Sequence, residues 1–322
     1  MQPTLQLLER LQAEFNDIPV HWFDGPDNNP LQKSSDKTYA LNWQQNNQAL
    51  PDQTIWPTNQ LNILFYPKAK ERLHWWLNQL SSSLQPDQHL WIVGHNDGGI
   101  KSLPKRIKDD FECVKIDSAR HCTAYELIPR NTLPTGENWQ HFEFHDITAY
   151  ALPGVFSAGK LDKGTEVLLT VLPQLKGHIL EFGAGCGILT SIIASQDKVE
   201  KVDAVEIDLL AVRSSQRTIR ENQLSDRIQL HWSAGTEDLA ENRFNAIVTN
   251  PPFHQGIRTA YEPTQLFFSQ AHQWLKPGGK LLWVANDFLN YQDLLVEHFH
   301  HIELLTHTRG FRVYQAIRKY HD

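Results

Sequence analysis

The sequence predicts an α/β protein made of two tandem doubly wound domains. From Gly177 onward, short β-rich runs alternate with amphipathic helical ones, the pattern of a parallel sheet covered on both faces. The first half carries a similar but poorer rhythm. A length of 322 residues, 40% hydrophobic and 21% charged, gives room for two cores of ordinary size. Residues 1–150, linker included, are assigned to the first domain and residues 151–322 to the second.

In the first domain, NILFYP (62–67) reads as a strand and is followed by a helix through Trp75 and Trp76. LWIVG (90–94) is a second strand, and after another helix comes ECVKID (112–117). Residues 130–155, with Pro134, Gly136 and Pro153, read as the connection. In the second domain HILEFG (178–183) is the first strand, followed by a glycine loop and a helix with Ile188, Leu189, Ile192 and Ile193 on one face. VDAVEI (202–207) is the second strand, and Asp208 is placed to cap a helix that turns Leu209, Val212 and Ile219 inward. RIQLHW (227–232) and FNAIVTN (244–250) are strands three and four, the latter stopped by Pro251 and Pro252. A helix through Gln265 to Leu275 ends at Lys276-Pro277-Gly278-Gly279 and leads to KLLWVAN (280–286). A last helix then precedes HIELLTH (301–307) and FRVYQAI (311–317), which fit an antiparallel hairpin.

The two halves invite comparison as a duplication. Without gaps, LWIVGHNDGGIKSL pairs Gly94 with Gly183, Gly98 with Gly187 and Ser102 with Ser191, and VKID at Val114 pairs with VEID at Val205. In that pairing Ile92 stands at Glu181, Asn96 at Gly185 and Lys115 at Glu206.

Composition narrows the function classes. A net charge of -7 argues against a broad basic face for nucleic acid, so any contact with phosphates must be local. Three cysteines without CxxC spacing support neither a disulfide framework nor structural zinc, and sixteen scattered histidines form no HExxH or HxH pattern. No bound metal is expected. No apolar run reaches the ~20 residues of a membrane helix and the start is polar, so a cytoplasmic protein without membrane contact is expected.

Three constellations carry chemistry. The first is Glu181-Phe-Gly183-Ala-Gly185-Cys-Gly187 at the carboxyl end of a strand, where open α/β sheets bind ligands and glycines admit a ligand to the backbone. Ile188 occupies the position of the third glycine of a dinucleotide fingerprint, which disfavours a nicotinamide or flavin site. The second is Glu206, at the spacing where an acid accepts hydrogen bonds from ribose hydroxyls. The third is Asn250-Pro251-Pro252-Phe253, which resembles the catalytic motif of methyltransferases acting on amine nitrogens of bases or of glutamine. An exocyclic amine on a base has a delocalised lone pair, so its N–H groups need acceptors that steer the nitrogen toward tetrahedral geometry. The Asn250 side-chain carbonyl and the Pro251 backbone carbonyl are two such acceptors, and Phe253 offers a stacking face for a flipped base.

The ExGxGxG loop resembles the first motif of S-adenosylmethionine-dependent methyltransferases, and NPPF resembles the catalytic motif of those acting on amine nitrogens. PGVFSAGKLDKGTEVLL (153–169), TNPPFHQGIRT (249–259), VANDFLNY (284–291) and GFRVYQAI (310–317) resemble the ribosomal RNA small subunit methyltransferase C family. That resemblance is dense from Leu152 to Ile317 and thin before it. It implies two tandem Rossmann-like class I methyltransferase domains, the first degenerate and without cofactor, serving recognition or support. It implies S-adenosyl-L-methionine as cofactor and the N2 amine of guanine-1207 in 16S rRNA of the small (30S) ribosomal subunit as target.

By the same resemblance Glu181 lies near the amino-acid end of the cofactor. Phe156, Lys160 and Gly164 belong to a segment crossing its methionine end, and Ser233-Ala234 lie at the adenine pocket, where related enzymes often have an aspartate or asparagine. His254, Arg258 and Thr259 could meet RNA, whereas Arg213, Arg217 and Arg220 read as a solvated helical stripe. The chain is expected to act as a monomer. The tetrapeptide alone leaves adenine N6 and protein glutamine amides open as targets, and a catalytically silent RNA-binding or assembly factor is the rival from another class.

Overall fold

The computed structural model describes residues 1–42, 58–67, 69–131, 137–235, 239–241, 243–251, 258–287 and 291–320, the side chains of 258–263 excepted. The chain forms two compact units, Met1–Asn138 and Trp139–Asp322.

In the first unit, helix α1 (Pro3–Arg10) precedes strands β1 (Val20–Phe23), β2 (Lys37–Tyr39) and β3 (Leu61–Phe65), helix α2 (Lys70–Ser83), strand β4 (His89–His95), the one-turn helix α3 (Leu103–Arg106) and strands β5 (Phe111–Ala119) and β6 (Cys122–Pro129). The sheet order is β2-β1-β3-β4-β6-β5. Pairing is parallel from β2 to β4 and antiparallel for β4/β6 and β6/β5. Leu5, Leu7 and Leu8 of α1 bury against Trp22, Ile63 and Trp91 on one sheet face. On the other face the Trp76 ring meets Phe23 edge-on, and its indole N–H donates to Asp24. Burying each such side chain is worth about 1.5–3 kcal/mol.

The second unit opens with a hairpin, β7 (Gln140–Phe144) and β8 (Ile147–Ala151), and helix α4 (Lys163–Val171). There follow β9 (Gly177–Phe182), α5 (Ile188–Ala194), β10 (Val199–Glu206), α6 (Leu209–Glu221), β11 (Ile228–Trp232), β12 (Phe244–Thr249), α7 (Arg258–Trp274), β13 (Leu275–Asn286), β14 (Phe299–Thr308) and β15 (Phe311–Arg318). The order is β11-β10-β9-β12-β13-β15-β14, parallel through β13 and closed by antiparallel β15 and β14. This is the doubly wound sheet expected from the strand pattern. Its core under α7 is aromatic: Phe268 stacks on Tyr291 at 4.3 Å, and Trp283 stacks on Tyr314 at 5.2 Å.

Three local expectations change. Residues 140–151 are a hairpin rather than plain connection, because α6 supplies its edge with partners. Ser214, Thr218 and Asn222, one helical turn apart, accept from the backbone N–H groups of Leu152, Tyr150 and Thr148 at 2.9–3.0 Å. A polar helix stripe thus stands where a neighbouring strand would be. The expected last helix is, among the described residues, only a 3-10 turn at Gln292–Leu294. Helix α7 begins at Arg258, earlier than its apolar spacing indicates.

The internal pairing of the halves also needs correction. In the first sheet β4 is parallel to β3 and antiparallel to β6, just as β13 is parallel to β12 and antiparallel to β15. LWIVG therefore corresponds to KLLWVAN, not to HILEFG, and VKID in β5 corresponds to the edge strand β14. Short strand-glycine-helix strings look alike wherever they occur, and only the order of strand partners tells them apart. The strand equivalent to β9 is β1: Asp24 N–H donates to Tyr39 carbonyl at 2.9 Å, as Gly183 N–H donates to Val205 carbonyl at 2.9 Å. Through these registers Trp22 stands at Glu181, Ala40 at Glu206 and Phe65 at Asn250. Ile92, Asn96 and Lys115 hold none of those places.

Candidate active site

The glycine loop leaves β9 through three residues of positive φ, Gly183 (85°), Gly185 (56°) and Gly187 (81°), a backbone path that favours glycine. Their reasons differ. A Cβ on Gly187 would lie 3.0 Å from Ser215 Cα, so α6 packs directly on the loop, and Ser215 Oγ donates to the Gly185 carbonyl at 2.9 Å. A Cβ on Gly185 would meet no atom within 4 Å, so this backbone borders open space. That space is the cradle a ligand can fill.

Two carboxyls sit beneath it. Glu181, the penultimate residue of β9, is 1% exposed and accepts from the Thr190 hydroxyl on α5. Burial pushes its carboxyl up to about 8, reinforced by the Glu206 charge and opposed by the Thr190 hydrogen bond. Glu206, ending β10, accepts at Oε1 from the N–H groups of Ile207 and Asp208 and at Oε2 from Gly185 N–H, at 2.8–2.9 Å. Burial raises it as well, against these backbone bonds. Oε2 takes a single one of these donors, which leaves it a lone pair for a hydroxyl in the cradle. Asp208 caps α6 as expected, accepting from Leu210 and Ala211 N–H.

Beyond Glu206, a cavity of about 140 Å³ is lined by Val205, His231, Trp232, Ser233, Gly235 and Leu239. Ser233 N–H donates to the Glu206 carbonyl at 2.9 Å, while its Oγ exchanges hydrogen bonds with Gly235 and closes the turn. Of the Ser233-Ala234 pair, Ser233 lines this cavity. His231 and Trp232, which no sequence motif singles out, also line it. Their position at the end of the third parallel strand was the available signal.

The turn after β12 lies on the other side of the glycine loop. A Cβ on Gly183 would stand 4.0 Å from the Asn250 carbonyl, and Thr249 Oγ1 donates to the Phe182 carbonyl at 2.7 Å, so the two loops are in register. Asn250 Nδ2 donates to Asp162 Oδ2 at 3.0 Å and to Thr165 Oγ1 at 2.8 Å. Asp162 caps α4, accepting from Thr165 N–H at 3.0 Å. Neither Asp162 nor Thr165 was singled out from sequence, although an aspartate just before an apolar-periodic run is a helix-start signal.

The remaining candidates divide. Pro251 is buried directly after Asn250, whereas Pro252, Phe253 and His254 lie outside the described residues, as do the side chains of Arg258 and Thr259. Phe156 is 61% exposed in the loop between β8 and α4, and Lys160 is exposed in the same loop. Gly164 is buried by packing: a Cβ there would come 3.0 Å from Asp162 Oδ2 and 3.1 Å from the Phe311 ring. Arg217 is not simply solvated, because its guanidinium lies over the rings of Trp139 (4.5 Å) and Tyr150 (4.6 Å) and fastens the hairpin to α6. Arg220 makes an exposed ion pair with Glu221. Cys113, Cys122 and Cys186 are free thiols, each pushed up by burial.

An acidic, glycine-walled cradle therefore adjoins an amide fixed at the end of the neighbouring strand.

Two family profiles cover most of the chain: "Methyltransferase small domain" matches residues 146–315 and "Methyltransferase small domain N-terminal" residues 25–142. A ribosomal RNA small subunit methyltransferase C from Hahella chejuensis is 38% identical over 288 residues, 87% of this chain and 82% of that protein. The Acinetobacter baylyi protein of the same name is 38% identical over 276 residues, 83% of this chain and 79% of the relative. Among solved structures, the Thermus thermophilus 16S rRNA guanine-1207 N2-methyltransferase, in complex with S-adenosylmethionine and guanosine, has a TM-score of 0.83 at 27% identity, covering 99% of this chain and 92% of that one. Placed beside the glycine loop, the paired acids and the Asn250 turn, these likenesses leave one assignment: the chain belongs to the ribosomal RNA small subunit methyltransferase C family.

Proposed function

We propose that this chain transfers a methyl group from S-adenosyl-L-methionine to the N2 amine of a guanine in 16S rRNA, guanine-1207 in the family's numbering. The observation that carries the reading is the oriented amide of Asn250. Its nitrogen faces a carboxylate oxygen that can only accept, so its Oδ1 is the atom left for an incoming N–H. Glutamine and adenine N6 would be served by the same acceptor; the relatives' shared name and the guanosine bound in the Thermus protein favour guanine.

The residues suit the cofactor. The open space at Gly185 admits a ligand against the backbone, Glu206 Oε2 beside the Gly185 N–H is an acceptor for ribose, and the Glu181 carboxyl, raised to about 8 by burial, would ionise against an amino-acid ammonium. The cavity at Ser233, Trp232 and Leu239 suits an adenine face. When bound, the cofactor supplies a methyl group on a sulfonium, already activated for displacement. The chain's task is then positioning. Asn250 Oδ1 and the Pro251 carbonyl accept the amine hydrogens and turn the nitrogen lone pair toward the cradle, and proline fixes the carbonyl's direction. The amine's surplus proton leaves to water after transfer, so no dedicated base is required.

The first unit, in this reading, binds no cofactor and serves recognition or support. Trp22, Ala40 and Phe65 at the places of Glu181, Glu206 and Asn250 support this, since none can take their hydrogen bonds. Calorimetric titration with S-adenosylmethionine, paired with label transfer to 16S rRNA and to 30S subunits lacking the modification, tests the proposal. One binding site per chain and label in RNA are expected. Binding without transfer to either substrate would return the chain to the silent-factor class.

A further inference from the structure

The Asn250 turn has a support that lies 85 to 88 residues earlier in the chain. Both Nδ2 hydrogens are engaged, one by Asp162 Oδ2 at 3.0 Å and one by Thr165 Oγ1 at 2.8 Å. Asp162 is itself fixed by the N–H of Thr165 at 3.0 Å, with Gly164 leaving it the room: any Cβ there would press on the same Oδ2. The start of α4 therefore reads the amide from behind. An unsupported asparagine can rotate by half a turn and present NH₂ to an incoming amine, donor against donor.

From this we propose that Asp162 and Thr165 are positioning residues for methyl transfer, which lock the Asn250 amide with Oδ1 toward the substrate amine and polarise it with the Asp162 charge. The inference rests on the amine-methylation reading above. It adds that the cap of α4 acts on the reaction through Asn250. Two effects follow. The lock removes the unproductive rotamer, and the carboxylate behind the amide makes Oδ1 a stronger acceptor as positive charge builds on the amine nitrogen. In that step the N–C bond forms from the amine lone pair, the S–C bond breaks with its pair returning to sulfur, and the amine's proton departs to water.

A plain cap role is separated by the choice of variants. Asp162→Ser keeps a good helix cap but is too short to reach Asn250. Its melting temperature should stay near that of the wild type and its affinity for S-adenosylmethionine within twofold, while kcat falls about 30- to 100-fold. Asn250→Asp alone sets two carboxylates face to face and should be nearly inactive. Asp162→Asn combined with Asn250→Asp restores a donor-acceptor pair with the charge moved forward, and should recover at least tenfold of the activity lost in Asn250→Asp. A normal kcat in Asp162→Ser, or no recovery in the double variant, would overturn the proposal.

A second readout does not depend on turnover. In the wild type labelled at asparagine, the Asn250 side-chain amide should show two hydrogen-bonded, slowly exchanging protons, and the slow exchange should be lost in Asp162→Ser and weakened in Thr165→Val. Fast exchange in the wild type would refute the lock even if rRNA is methylated. Slow exchange in a protein that methylates no RNA would instead uphold the lock and refute the amine-methylation reading.

Discussion

Glu181→Gln is the perturbation whose size the structure sets most directly. The unfolded carboxyl ionises near 4.5 and the folded one near 8, because the side chain is buried under the glycine loop with Glu206 as neighbour. Between those pH values the folded protein holds one proton more than the unfolded chain. The protonated group's contribution to stability is therefore complete below 4.5 and is lost as pH rises through 8. At 1.36 kcal/mol per pH unit the whole change is roughly 5 kcal/mol, of which about 2–3 kcal/mol falls between pH 6 and pH 8. Glutamine keeps the shape and the acceptor for Thr190 but never ionises. Denaturant unfolding without cofactor, following the transition that cofactor shifts, should show wild-type stability falling over this window and the variant falling about 2–3 kcal/mol less. Glu206 moves in the same direction but is common to both proteins, so the difference reports Glu181. A cationic ligand group at Glu181 would also ionise it, and binding at pH 7 should release close to one proton in the wild type and none through this position in the variant. Parallel pH curves for the two proteins would show that burial does not raise the Glu181 carboxyl.

Other perturbations separate the parts of the site. Asn250→Ala should bind S-adenosylmethionine within twofold of wild type and lose about 10²- to 10³-fold in kcat, a loss of roughly 3–4 kcal/mol in transition-state stabilisation; binding and turnover measured on one preparation decide this. Gly185→Ala, at φ 56° with no atom within 4 Å of the new methyl, should cost only about 1 kcal/mol of stability yet weaken cofactor binding at least tenfold, as denaturation and calorimetry would show. Glu206→Ala should remove the single binding event and leave no residual site in the first unit. A second, unaffected site would contradict the correspondence of Trp22, Ala40 and Phe65 to the site residues. Thr218→Val removes both bonds of its hydroxyl to Tyr150 and should destabilise the second unit by about 1–3 kcal/mol, visible in its melting transition.

The legible parts of the chain were those whose chemistry is local. A glycine loop after an apolar strand, an acid at the end of the next strand and a double-proline stop each announce themselves within a few residues, and the structure brings Glu181, Gly185 and Glu206 together and sets Asn250 beside Gly183. Features that depend on distant partners were hidden. The β7–β8 hairpin alternates only weakly, and its stability comes from Ser214, Thr218 and Asn222 more than sixty residues away. Strands β1 and β2 are four and three residues long, too short for a period to show, and without them the glycine-loop strand is matched to β4, two places along the sheet from its true equivalent β1. Asp162 and Thr165 looked like an ordinary helix start, and only the fold shows that the same atoms face the Asn250 amide.

The atom that receives the methyl group decides between the readings. 16S rRNA and 30S subunits from cells lacking this protein would be treated with isotopically labelled S-adenosylmethionine and the chain, digested, and resolved as nucleosides by mass spectrometry. A single labelled product is expected, N2-methylguanosine, mapping to guanine-1207 in at least one of the two substrates. Label found only as N6-methyladenosine or only in ribosomal protein would contradict it.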